Sequence, residues 1–112
     1  MISGIFSAVF VSNQKRGGTG VAIFSGNAVH GGDASHYYRG KYKLDGNKQI
    51  TSTIEVFKYS ASDSIFGPLN KFRLILNGIV SDQGVELSGQ IEGHPENMIR
   101  ISLKKLDTLI EA

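Results

Sequence analysis

The sequence contains no cysteine. That excludes a disulfide framework and any thiolate metal site, and it permits a reducing compartment. It has no strong excess of charge of either sign, with a formal net charge of +2. The bases fall in small, separated groups: Lys15 with Arg16, Arg39 with Lys41 and Lys43, Lys71 with Arg73, Lys104 with Lys105. Such groups read as solvated faces rather than as a nucleic-acid stripe, so no direct nucleic-acid contact is expected. No run approaches the ~20 apolar residues of a membrane span. The opening MISGIFSAVFVSN has an apolar run but no basic segment before it and no small-residue cleavage site, and its serines alternate. The expectation is a soluble, cytoplasmic protein.

The composition itself is globular, at 40% hydrophobic and 20% charged residues, which argues against a disordered tail. A length of 112 residues fits one domain, residues 1–112, able to bury about two-thirds of its unfolded surface without covalent staples.

Prolines number two and glycines 14, so glycine is the main punctuation. Between the glycines the chain alternates with period two. ISGIFSAVFVS, GTGVAIFSG, SHYYRGKYKL, QITSTIEVFKYS, NKFRLILNGIV, GVELSGQIEG and NMIRISLKKL all read as strands, and NAVHG as a short one. NQKRGG, LDGNKQ, SDQG and HPEN read as turns, with Asp-Gly in LDGNKQ a hairpin signal. SASDSIFGPL reads as a longer loop. Helical spacing occurs only at Leu103, Leu106, Leu109 and Ile110, enough for a short C-terminal helical turn.

One apolar face runs through the strands: Phe6, Ala8 and Phe10; Tyr38, Gly40, Tyr42 and Leu44; Ile50, Ile54 and Val56; Phe72, Leu74, Leu76 and Gly78; Val85, Leu87, Gly89 and Ile91; Ile99, Ile101 and Leu103. The other face carries most of the charge. A sheet with one apolar face must close or pair to hide it. Gly40, Gly78 and Gly89 stand mid-strand on the apolar face, where glycine marks a bend or a close approach. Bends of that kind favour rolling the sheet up, so the expected fold is all-β: an antiparallel, up-and-down barrel of about eight strands. Five apolar residues, Ile5, Val9, Val11, Ile75 and Ile79, point the other way. They are a candidate dimer or partner surface; cover by the loop containing Ile65 and Phe66, or by the C-terminal segment, is the alternative.

Residues 31–42, GGDASHYYRGKY, admit several chemistries. A phosphate cradle needs a strand–loop–helix context, and here a strand follows. Gly31 and Gly32 are therefore read as a corner supplying positive φ, with Asp33 in an Asx turn. Base stacking is opposed by parity, because Tyr38 and Tyr42 face away from Arg39, Lys41 and Lys43, leaving only Tyr37 on the basic face. His30, His36 and His94 lie in three different segments, so no metal site is expected. His30, Asp33 and Ser35 are close in sequence, but no G-x-S-x-G elbow is present, so no catalytic site is expected.

GIFSAVFVSN, then GTGVAIFSGNAVHGGDASHYYRGKY, then FRLILNGIVSDQGVELSGQIEG give the chain a likeness over nearly its whole length. It resembles the GrlR family, negative regulators of type III secretion genes in enteropathogenic bacteria. The GNAVHGGD segment leading to tyrosine and glycine is the most specific part. The resemblance implies a small calycin-like barrel that forms a homodimer and acts on transcription by binding a transcriptional activator protein. It also implies an interior able to hold an apolar, lipid-like molecule. Carried over, it puts Phe6, Phe10, Tyr38, Tyr42, Phe72, Leu76, Leu87 and Ile101 on the cavity wall. The family's acidic partner loop is not reproduced: the corresponding hairpin LDGNKQI offers only Asp45, with Lys48 of opposite charge.

The functional expectation is a non-enzymatic, protein-binding regulatory barrel with no cofactor. The alternative is a carrier or sensor of a small apolar ligand. An open interior would favour the second and a filled one the first.

Overall fold

The computed structural model describes residues 2–60 and 70–110. Among them are eight strands and no helix: β1 (Gly4–Ser12), β2 (Gly17–Ser25), β3 (Ala28–Gly32), β4 (His36–Leu44), β5 (Gln49–Lys58), β6 (Lys71–Ser81), β7 (Gly84–Ile91) and β8 (His94–Asp107). Each pairs antiparallel with its sequence neighbours, and β1 pairs with β8, so the sheet closes into the expected up-and-down barrel. The closing seam aligns Phe10 with Ile101 and Val11 with Arg100. Because side chains alternate, this register sends the apolar face inward on every strand. Phe6, Phe24, Ile50, Leu74, Leu76, Val85 and Ile91 are all buried there.

The turns explain the strand order. Two hairpins use three-residue loops, residues 13–15 and 46–48, each ending on a lysine with positive φ, 61° at Lys15 and 62° at Lys48. That is a type I turn followed by a left-handed residue. In each, the residue before the loop accepts amide bonds with its side chain: Ser12 Oγ from Gln14 and Arg16, Asp45 Oδ1 from Asn47 and Gln49. The Asp-Gly pair is therefore not itself the left-handed corner; Asp45 anchors the loop and Lys48 makes the bend.

Three other sequence expectations are corrected. Gly31 and Gly32 do not take positive φ; they belong to β3. Gly31 is required by proximity, since a Cβ there would lie 2.1 Å from the Val21 carbonyl oxygen. HPEN is not the last turn, which is made by Glu92 and Gly93. HPEN opens β8 as an irregularity: Ile91 pairs with His94 but Gln90 with Met98, so the residues between bulge out, as suits Pro95 with no amide to donate. Finally, the C-terminal helical turn does not form among the described residues. β8 carries Leu103 and Leu106 on to Asp107, which pairs with Ile5, and residues 108–110 are irregular. Two flanking ladders outweigh the marginal preference of a single helical turn. The loop containing Ile65 and Phe66 lies outside the described residues.

Candidate functional site

One end of the barrel is plugged. Tyr42 is buried, and its hydroxyl accepts the Ile2 N–H at 2.8 Å while facing the carbonyls of Gly26 at 2.8 Å and Ile2 at 3.0 Å. Phe24 packs T-shaped on Tyr42 at 5.3 Å, and Phe6 T-shaped on Phe24 at 5.1 Å. Above this floor a cavity of about 300 Å³ opens partly toward the other end. It exists because inward positions there carry small groups, Ala8, Gly18, Ala22 and Ser52, where an eight-stranded barrel otherwise has just enough room for side chains. Its walls are aromatic and aliphatic.

Of the residues expected on the wall, Phe10, Tyr38, Phe72, Leu76, Leu87 and Ile101 line the cavity, whereas Phe6 and Tyr42 form the floor. Sequence reasoning missed the polar group at the open end. Asp33, in the loop between β3 and β4, makes the expected Asx turn: Oδ1 accepts the amides of Ser35 and His36, both at 2.8 Å, and the Ser35 hydroxyl at 3.2 Å. Its Oδ2 accepts the Tyr38 hydroxyl. Ser35 Oγ also lies 2.6 Å from His36 Nδ1, and His36 Nε2 is buried with no partner among the described residues. Extending the inward parity from Tyr38 by one step would have found His36.

These contacts set the charges. Burial pushes the Asp33 carboxyl up, but the bonds from Tyr38, Ser35 and His36 outweigh it and hold Asp33 below the usual carboxylate range. Burial pushes His36 down; Asp33 opposes and Lys58 reinforces that shift. The Tyr38 phenol is raised well above its ordinary value by burial and by its bond to Asp33. At neutral pH the cluster is thus a carboxylate, a neutral imidazole and a neutral phenol. It does not resemble a nucleophile relay, which places serine and aspartate on opposite ring nitrogens. Here both meet His36 on its Nδ1 side, with Asp33 Oδ1 3.9 Å from that atom.

Outside the barrel, Val9 and Val11 are exposed and Ile5 is half-buried. Their apolar neighbours are Val21 and Ile23 on β2, with Ile5 directly opposite Ile23. Ile75 and Ile79 also face outward, but on β6, separated from β1 by β7 and β8. The five residues therefore do not make one patch. Tyr37 has aromatic company that parity on its own strand did not show: Phe57 stacks on it at 5.0 Å and Tyr59 lies 6.4 Å away. Arg39 and Lys71 sit over Phe57. The nearby arginines have internal partners, Glu55 being 3.4 Å from Arg39 and 3.8 Å from Arg73.

In the hairpin at Asp45 and Lys48, Asp45 Oδ1 accepts the amides of its own loop. His30 is exposed on the outside of β3, and His94 is exposed beside Glu96. Among the described residues no three histidine or acidic side chains converge as metal ligands, and no helix is long and apolar enough to cross a membrane. No family model and no curated protein matches the chain.

Proposed function

We propose that this protein is a non-enzymatic binding barrel whose interior takes a small apolar molecule. The partly open cavity of about 300 Å³ with apolar walls carries the reading. An apolar cavity of about 150 Å³ suffices to hold benzene, so twice that volume accommodates a two-ring or short-chain compound. The likeness to the GrlR family supports a regulatory setting, in which occupancy of the barrel is read by a protein partner.

Naphthalene is a suitable probe. Titration into ¹⁵N-labelled protein is expected to shift amides beside Leu76, Leu87 and Ile101 saturably, while Leu76→Phe, which fills the cavity, weakens binding about tenfold or more. Absence of any saturable shift in the wild type overturns the reading.

A second reading, contact with a second copy or with a protein such as a transcriptional activator, is favoured by the stripe on β1 and β2. Val9, Val11, Val21 and Ile23 expose 49%, 49%, 41% and 37% of their surface on these adjacent strands, with Val21 opposite Ser7 and Val9 opposite Thr19. A homodimer built on this stripe is expected to dissociate in Val9→Lys, since a lysine ammonium does not enter an apolar contact without losing its hydration. Sedimentation of the wild type as a monomer at high micromolar concentration would remove the dimer.

A further inference from the structure

We infer that the cavity selects neutral apolar molecules bearing a hydroxyl group and rejects apolar carboxylates. The inference rests on the reading of the interior as a ligand site and names the ligand chemistry. Asp33, Ser35, His36 and Tyr38 form the polar end of the lining, and among the described lining residues there is no lysine or arginine. Lys58, close enough to influence His36, is not part of that lining.

The proton positions follow from the contacts. The Tyr38 hydroxyl gives its hydrogen to Asp33 Oδ2. Ser35 Oγ, 3.2 Å from Asp33 Oδ1, donates to the carboxylate and accepts the Nδ1 proton of His36 across 2.6 Å. The negative charge 3.9 Å from Nδ1 favours the imidazole proton on that nitrogen. Nε2 is then a bare lone pair, buried and without a donor. A buried polar atom left this way is destabilising until something donates to it. The capacity that the cluster turns toward the cavity is therefore all acceptor: the Tyr38 oxygen and the second lone pair of Asp33 Oδ2, both on lining residues, while Nε2 is enclosed by protein. A carboxylate brings further acceptors and a like charge, with no cation on the wall to receive it. An alcohol or phenol brings one donor and no charge.

The test compares three probes with the same ring system: naphthalene, 1-naphthol and 1-naphthoate. 1-Naphthol is better hydrated than naphthalene, so a purely apolar cavity binds it more weakly. The expected result is the reverse, with 1-naphthol about fivefold or more tighter than naphthalene, the factor of one net hydrogen bond, and 1-naphthoate the weakest of the three. In the wild-type protein the Ser35 and His36 amides, which are bound to the Asp33 carboxylate, are expected to shift more on adding 1-naphthol than on adding naphthalene. Asp33→Asn, which keeps an acceptor for the Asx turn and replaces the other carboxylate oxygen by a donor, is expected to abolish the preference for 1-naphthol; should that variant fail to fold, the wild-type amide shifts decide alone. Equal affinity for naphthalene and 1-naphthol, Ser35 and His36 amide shifts that are the same for both, or tightest binding of 1-naphthoate overturns the inference while leaving a ligand cavity in place. Binding of none of the three overturns both.

Discussion

Gly89→Ala is expected to destabilise the barrel by about 3 kcal/mol or more and to lower the thermal midpoint by ~10 °C. Gly89 is an inward position of β7 opposite Leu76, and a Cβ there would stand 1.8 Å from the Ile75 carbonyl oxygen. Gly78, opposite Leu87 on β6, meets the same obstacle at 1.7 Å from the Glu86 oxygen. In both cases the blocking atom is backbone in a paired strand, so relief requires moving the ladder rather than a side-chain end. The two glycines let β6 and β7 curl inward closely enough for the sheet to meet itself at β1 and β8. Gly46→Ala is the control, because a Cβ at Gly46 meets nothing within 4 Å and its φ is not positive. Thermal unfolding followed by far-ultraviolet circular dichroism measures both variants. A Gly89→Ala midpoint within 1 °C or so of the wild type would contradict this account of closure.

Acid is expected to lower the stability of the protein in two stages, both traced to the cluster at the open end. His36 has a folded pKa below its ordinary value of 6.5. Between the two values the unfolded chain holds the extra proton and the folded chain does not, so stability rises with pH and is lost as pH falls below 6.5. Asp33 also has a folded pKa below its ordinary 3.8, and its contribution is present above that value and lost as pH falls through the folded one. The two effects share a sign. His36→Phe is expected to flatten the decline just below pH 6.5 and to leave the more acidic stage in place. Asp33→Ala is expected to cost about 3 kcal/mol at neutral pH, because it leaves the amides of Ser35 and His36 and the Tyr38 hydroxyl without their acceptor. Chemical denaturation at a series of pH values reads both. A wild-type stability that is flat from pH 7 to pH 5 would show that His36 does not carry the first stage.

The barrel was legible in the alternation because period two leaves few other ways to hide one apolar face. Leu74 and Tyr42, assigned inward from the pattern alone, are buried. The cavity was less legible. Its walls follow from parity, but its volume depends on which small side chains meet across the axis, and Gly18 and Ala22 on β2 acquire that meaning only once β2 lies beside β1. The polar cluster was hidden for a different reason. Asp33 and Ser35 sit in a loop, where sequence supports a turn but not a direction, and the neighbour that matters is His36, the first residue of the next strand. The outer apolar residues failed as one group because residues far apart along the chain share a parity without sharing a side of the cylinder.

The continuous ladder has one more consequence. Among the described residues every strand has two partners, but β3 is short and covers only residues 21–25 of β2, which leaves residues 17–20 paired with β1 alone. Strand recruitment, or a dimer formed by extending the sheet, has to use those four β2 residues or open a ladder such as the seam between β1 and β8. Away from that short stretch, association of the intact barrel with another protein runs through side chains, which makes it sensitive to single surface substitutions in a way that backbone-mediated pairing is not.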